Sequence, residues 1–507
     1  MHILKMPSQT NRTSVQKSNC GGVFRTKDPS GTHLVILGLL IANYVSYLMH
    51  ILYGLWASAI TLVLLITCSM RLNRRCLLAR HFSWANIFIA LLVLFHLGYY
   101  LPAKIGLIDE VDFMPSIRSA ESQVAMILFC AAVLAFESGV LSGCRRALVR
   151  QRRRRETRTD DMRSASALLA IGLPVLALSI VVLAIFTFQQ GGLQSTFKMS
   201  YADLNDFLSR SDSRFVETGV QFFPVGVLIT YVGLLYKGVR GRPIICVRAL
   251  SCLFIAWLLI VGSRGTAFLL VLALLYVGHL CHRPVRWRTI LIVGILVTIM
   301  IPVIAAYRNV SGGGRLEAAR EATLIPLAAA LEMGQTYRTL VGFVDYFWKD
   351  RHPLMLGRSY WIAVPRLIPN VGLSSGSIPA GDYYRTTVWI TELLEPSTAR
   401  AGGGLGSTGI GEPYANFGYP GVVALFWCLG FVIGGLEQYF LLTRSGAAMG
   451  IICGIFIATN WYIRDDVYGT IRPVVWSVVV ILFIFHRLRV RRNVLELPVS
   501  LRSSNVR

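Results

Sequence analysis

The stretch Gly403–Glu437, GGLGSTGIGEPYANFGYPGVVALFWCLGFVIGGLE, decides how this chain is read. It opens polar and Gly-rich, closes that part with Glu412-Pro413-Tyr414, and passes through Asn416-Phe417-Gly418 straight into an apolar helix. Flexible backbone, a carboxylate and an aromatic ring are thereby delivered to one rim of a membrane. Chemistry on a membrane-anchored molecule needs them there.

Composition agrees with a membrane reading. The chain has 507 residues, 54% of them hydrophobic and 15% charged, with a mean hydropathy of +0.57. With ~20 apolar residues needed per crossing, the sequence predicts an all-α polytopic membrane protein of about twelve transmembrane helices. Their approximate ranges are 34–50, 53–70, 84–102, 123–143, 167–187, 218–236, 248–262, 266–281, 289–306, 418–441, 447–463 and 467–486.

The net charge of +24 would suggest nucleic acid if the basic residues lay elsewhere. Instead they fill every second connection: Arg71 to Arg80, Arg145 to Arg163, Lys237 to Arg242, Arg283 to Arg288, and Arg487 to Arg492. The first intervening loop carries Asp109, Glu110 and Asp112. This alternation is the positive-inside pattern, and it places both termini in the cytoplasm. Topology explains the charge, so no nucleic-acid partner is expected.

Five segments follow. Residues 1–33 read as a disordered cytoplasmic arm, 34–306 as spans one to nine, 307–417 as a large extracytoplasmic loop, 418–486 as the last three spans, and 487–507 as a basic cytoplasmic tail. None of the ten cysteines falls in the large loop, and there is no CxxC pair. Neither disulfides nor structural zinc are indicated.

The large loop is rich in Trp, Tyr, Leu, Ile and Pro, unlike a disordered linker. Ala328–Phe347 carries apolar residues at helical spacing and reads as one amphipathic helix lying in, or re-entering, the interface. Gly262-Ser263-Arg264-Gly265 interrupts an apolar run and reads as a turn, leaving Arg264 at the outer face, where positive charge is disfavoured. Arg308, Arg338, Arg358 and Arg464 lie on the same side. Several guanidinium groups converging on one cavity suit a pyrophosphate, because the planar fork pairs bidentately with phosphate oxygens. For Arg464, pairing with Asp465 or Asp466 is the alternative. Glu412, at a helix entrance after a Gly-rich loop, is the first candidate base, and Glu332 the second. Asp109, Glu110 and Asp112 are a weaker acidic candidate, and His352 is the only histidine of the large loop. His279 and His282 are expected to meet lipid head groups at the inner face.

The order of these elements resembles a known family. Gly-Ser-Arg264-Gly between two spans is followed by Glu332-Met-Gly, then Gly357-Arg-Ser-Tyr-Trp with Pro365 and Pro369 downstream, then Gly404-Leu-Gly-Ser-Thr-Gly-Ile-Gly-Glu-Pro-Tyr-Ala-Asn-Phe-Gly-Tyr-Pro-Gly. Over roughly Leu253 to Arg472 this resembles the Wzy-type polymerases that join oligosaccharide repeat units into O-antigen or exopolysaccharide. The resemblance implies a glycosyltransferase of the C-type membrane architecture in the bacterial cytoplasmic membrane. Its substrates would be glycans linked to undecaprenyl pyrophosphate, in the bilayer, with a chain-length-determining co-polymerase and a flippase as further partners. It implies Glu412 or Glu332 as base, Arg264, Arg308, Arg338, Arg358 and Arg464 around the pyrophosphate, and Tyr360, Trp361, Tyr414 and Asn416 against sugar. Arg can take a metal's place in such a cradle, so no cofactor is expected. Two other readings compete. An O-antigen ligase would share the donor but depend on a histidine in the large loop. A lipid-linked-oligosaccharide flippase or transporter would bury paired charges within its spans, where only Glu137 suggests itself.

Overall fold

A computed structural model describes residues 82–107, 119–153, 161–189, 191–192, 214–261, 263–282, 284–309, 326–348, 351–367, 385–400 and 404–495, with a few positions between 36 and 44. Among these residues the chain is helical, without strands. In order the helices are α1 (Trp84–Lys104), α2 (Ala120–Arg153), α3 (Asp161–Gln189), α4 (Arg214–Tyr236), α5 (Arg242–Val261), α6 (Arg264–Cys281), α7 (Trp287–Asn309), α8 (Pro326–Met333), α9 (Thr336–Phe347), α10 (Arg358–Ala363), α11 (Thr386–Leu394), α12 (Pro396–Arg400), α13 (Gly411–Thr443), α14 (Gly446–Trp461) and α15 (Val467–Leu495). Short 3-10 turns follow α10 (Val364–Leu367) and α14 (Tyr462–Arg464).

Each expected span from residue 84 onward falls on one of these helices. Nine, α1–α6 and α13–α15, are long and apolar enough to cross a membrane, and α7 carries a shorter apolar run, Trp287–Val297. The expected span over 53–70, most of that over 34–50, the N-terminal arm and Asp109, Glu110 and Asp112 lie outside the described residues.

The core runs along α2 and α13, which pack side by side over most of their lengths. Gly139 and Gly143 of α2 lie against the backbone of Trp427 and Phe431 on α13, and Gly430 and Gly434 of α13 against that of Phe136 and Val140 on α2; a Cβ on Gly434 would come within 2.6 Å of the Val140 carbonyl oxygen. Small residues four apart let two helix backbones approach in this way, which is how helices associate where no water drives them together. The outer surface inverts the usual rule: Leu173, Leu178 and Val181 of α3, Leu253 of α5, and Leu291, Ile292 and Leu296 of α7 are exposed. In a bilayer these side chains meet acyl chains.

Two boundaries differ from those expected. The single amphipathic helix over Ala328–Phe347 is two helices, α8 and α9, parted at Gly334. Gly334 lies against Gly98 and Tyr99 of α1 so closely that a Cβ would meet the Gly98 carbonyl carbon at 2.8 Å. Backbone contact with α1 sets the break. Helix α9 is then buried rather than spread on an interface: Tyr337, Leu340, Phe343 and Val344 are fully covered, and the Tyr337 hydroxyl donates to the Ser122 carbonyl at 2.8 Å. The second difference is that α13 starts at Gly411 rather than near residue 418. Pro413 falls in its first turn, where a missing amide hydrogen costs nothing.

Candidate active site

A cleft of about 510 Å³, its open mouth included, lies where α1, α6, α8 and the end of α14 meet. Phe95, Phe268, Leu269, Met333 and Trp461 line it, with Arg264, Glu332, Asn460 and Arg464 as its polar groups. The Gly-Ser-Arg-Gly turn makes Arg264 the first residue of α6, and Glu332 closes the last turn of α8. The two form an ion pair, each partly open to solvent. The Arg464 guanidinium lies over the Phe95 ring at 5.6 Å and the Trp461 ring at 6.0 Å, an arrangement that favours the cation electrostatically. The Gly-rich segment backs it. Gly406 has φ +81°, and a Cβ there would stand 3.0 Å from the Arg464 carbonyl oxygen and 3.4 Å from its guanidinium. Left-handed backbone and close approach both require glycine at this position. Two guanidinium groups and one carboxylate on an apolar floor make a cationic cleft.

Glu412 is elsewhere. It does not line the cleft but lies wholly buried in the first turn of α13. Its Oε1 accepts from the Ser359 hydroxyl at 2.9 Å, and its Oε2 from the Val467 amide at 2.9 Å and the Tyr462 hydroxyl at 3.3 Å. Val467 is the first residue of α15, so the carboxylate also meets that helix's positive end. Asn416, fully buried, donates to Ser359 Oγ and to the Glu412 carbonyl, both at 2.8 Å, and accepts from the Gly357 amide at 2.9 Å.

The Gly418-Tyr419-Pro420 step explains what else docks here. Gly418 leaves the helical region (φ 65°, ψ −155°) and Pro420 has no amide hydrogen. The carbonyls of Ala415 and Asn416, which residues 419 and 420 would serve in a regular helix, are therefore released. The Met355 and Leu356 amides take them, at 2.9 and 3.0 Å. The EPYANFG segment thus holds three pieces of chain together: residues 355–359, the start of α13 and the start of α15.

The other candidates are dispersed. Arg338 is paired with Glu395 at the end of α11. Burial alone would raise the Glu395 carboxyl, but the Thr398 hydroxyl and Arg338 hold it below the usual glutamate value. Arg358 opens α10 and is exposed; Arg308 is in the last turn of α7, and its side chain lies outside the described residues. Tyr360 faces Phe417 with ring centroids 6.1 Å apart. Tyr414 and Asn416 are buried and turn no face to a solute, whereas Trp361 is 73% exposed. His352 stacks on Tyr346 at 3.8 Å, away from the cleft. His279, expected among lipid head groups, is instead buried, with Nδ1 accepting from the Val285 amide at 2.9 Å.

One residue escaped the sequence reading. His96, buried in α1, has Nδ1 at 3.0 Å from the Leu92 carbonyl and Nε2 at 2.9 Å from the Thr408 hydroxyl. A carbonyl only accepts, so the neutral ring carries its proton on Nδ1 and receives the Thr408 hydroxyl on Nε2. A lone ionisable residue inside an apolar run was the available signal.

Asp465 and Asp466 serve the helix ends rather than the cleft. Asp466 accepts from the Thr387 amide at the start of α11 (3.1 Å) and the Gly469 amide at the start of α15 (3.0 Å). Asp465 accepts from the Thr387 hydroxyl at 3.2 Å. Burial, and then the neighbouring Asp466 charge, push the Asp465 carboxyl up to about 7. The folded state therefore holds a proton that the unfolded chain releases at about 4. The stability this contributes is complete at low pH and is lost as pH rises through about 7. Asp465→Asn should remove that part of the pH dependence, so the variant's thermal midpoint should rise relative to that of wild type from about pH 4 toward neutrality. Parallel curves would show that Asp465 does not titrate in this interval.

Fold and cleft together define a polytopic membrane protein that gathers arginines and a carboxylate at one end of its bundle. The family model of the O-antigen polysaccharide polymerase Wzy matches residues 32–492, and the chain belongs to that family. Comparison with curated proteins and with solved structures gives no match.

Proposed function

We propose that this polymerase joins oligosaccharide repeat units carried on undecaprenyl pyrophosphate, at the outer face of the bacterial cytoplasmic membrane, with both termini in the cytoplasm. The observation that carries the reading is the convergence of Arg264, Arg464 and Glu332 on one cleft with an apolar floor. A pyrophosphate attached to a polyprenyl chain has that combination of charge and greasiness.

In this reading the donor's pyrophosphate displaces Glu332 from Arg264 and sits between Arg264 and Arg464. The acceptor's sugar hydroxyl attacks the anomeric carbon of the growing glycan. The new C–O bond forms as the bond to pyrophosphate breaks, the electron pair leaves with the pyrophosphate, and the hydroxyl proton passes to Glu332. The arginines stabilise the charge that builds on the leaving group, and the freed carboxylate is the base. Glu332 is preferred over Glu412 because it opens on the cleft, while Glu412 is enclosed by three donors. Arg308, Arg338 and Arg358 have no assigned part in this cradle. Residues 307–417 form the large extracytoplasmic loop in this reading, and a co-polymerase and flippase are the partners this activity calls for.

Surface glycan from a deletion strain complemented with wild type or Glu332→Gln tests the reading. Wild type should restore the long-chain ladder, and Glu332→Gln at normal protein level should leave core capped by a single repeat. A full ladder with Glu332→Gln would remove that residue as base. Core bearing no repeat in the deletion strain, with glycan retained on the carrier, would point to a ligase, or to a flippase if it stayed on the cytoplasmic face.

A further inference from the structure

Residues 354–367 bury a polar side chain and expose apolar ones, with Arg358 an exposed charge near their start. Ser359 is buried and hydrogen-bonded to Glu412, and Gly357 and Ala363 are covered, whereas Leu356 is 75% and Trp361 73% exposed, with Leu354 and Val364 also exposed. Just before them the polarity is ordinary: Asp345, Arg351 and His352 are exposed, and Arg351 pairs with Asp345 and Glu121. The inversion starts at Leu354.

Its position along the bundle is given by Trp476. The Trp476 indole donates to the Leu367 carbonyl at 2.9 Å, and α10 with its 3-10 turn packs along α15. Trp476 lies nine residues into the apolar span Val467–Leu488. At 1.5 Å per residue that is roughly 14 Å below the start of α15, close to the middle of a hydrocarbon core about 30 Å thick.

Irregular backbone survives at such depth only if its polar groups are satisfied by protein. Here they are. The amides of Met355 and Leu356 go to the carbonyls freed by the α13 kink, that of Gly357 to Asn416, that of Arg358 to the Met355 carbonyl, and those of Tyr360 and Trp361 to the Gly357 carbonyl. Leu356, at φ +50°, stands at the turn of the hook.

We propose that residues 354–367 form a re-entrant hook whose exposed face, Leu356, Trp361 and Val364, lies against acyl chains of the leaflet on the Gly-rich side of the bundle. Trp361 is then a lipid contact and not a platform for sugar. This does not depend on the reaction assigned to the cleft.

Hydroxyl-radical footprinting of the wild-type protein in liposomes reads the hook directly, because radicals form in water. Trp361 and Leu356 should be protected despite their exposure on the protein surface, while His352 is modified. A second measurement places nitroxides at Leu356→Cys, Trp361→Cys and, for comparison, Asp345→Cys in a background without native cysteines. Oxygen should collide more often than a water-soluble nickel chelate at the first two sites, and less often at the third. Strong radical modification of Trp361, or chelate contact at 356 and 361 equal to that at 345, would show a water-filled surface and overturn the hook.

Discussion

Arg264→Ala should lower polymerisation by ~10²–10³-fold at unchanged protein level, the loss seen when one preorganised donor to developing charge is removed. Arg264 is the cation that the Gly-Ser-Arg-Gly turn places at the head of α6, directly on the cleft. Its removal also strands Glu332, whose negative charge would then face an incoming pyrophosphate without its partner. Arg264→Lys should recover only part of the activity, since an ammonium supplies charge but not the two-pronged fork. The measurement is consumption of lipid-linked repeats in isolated membranes, with ladder length as a second readout and immunoblotting for abundance. Near-normal turnover in a normally inserted Arg264→Ala protein would remove the cleft from the mechanism. Because Glu332→Gln keeps the cleft's cations, comparing the two variants separates loss of leaving-group stabilisation from loss of a base.

Glu412→Gln should act differently, by destabilising the fold. Three donors point at the Glu412 carboxylate, from Ser359, Tyr462 and the Val467 amide, and the side chain is fully buried. Glutamine offers one acceptor oxygen and replaces the other with an NH₂ that faces a donor. At least one buried donor loses its acceptor, a cost on the order of 1–3 kcal/mol. The expected result is a lower thermal midpoint in detergent and lower abundance in membranes, with ladder loss that follows abundance. A Glu412→Gln protein with wild-type midpoint and abundance but no ladder would return Glu412 to the role of base.

These two predictions reverse the emphasis a reading of the chain alone suggests. The EPYANFG segment stands out in the sequence because it combines glycine, proline, a carboxylate and an aromatic, and that combination is equally what a kinked, tightly docked helix start demands. Gly418 and Pro420 release two carbonyls, the Met355 and Leu356 amides donate to them, Asn416 holds Gly357 and Ser359, and Glu412 ties the assembly to α15. Nothing local in the sequence distinguishes a carboxylate that faces substrate from one that receives a helix amide. The same holds for the aromatics: Tyr414 and Trp361 look alike as sugar-stacking candidates, yet one is buried and the other stands outside the protein.

What the sequence determined by itself is the membrane architecture. Crossing a bilayer is a property of about 20 consecutive residues, so composition within each window located the spans from 84 onward, and the Gly-Ser-Arg-Gly turn between α5 and α6 was legible for the same reason. Only the tertiary structure decided which charges meet. Phe95, Arg264, Glu332 and Arg464 come from four distant parts of the chain, and their convergence depends on how helices pack, down to the backbone contact of Gly98 with Gly334 and the support of Arg464 by Gly406. Packing of this kind is set by shape complementarity between segments remote in sequence, which no window along the chain contains.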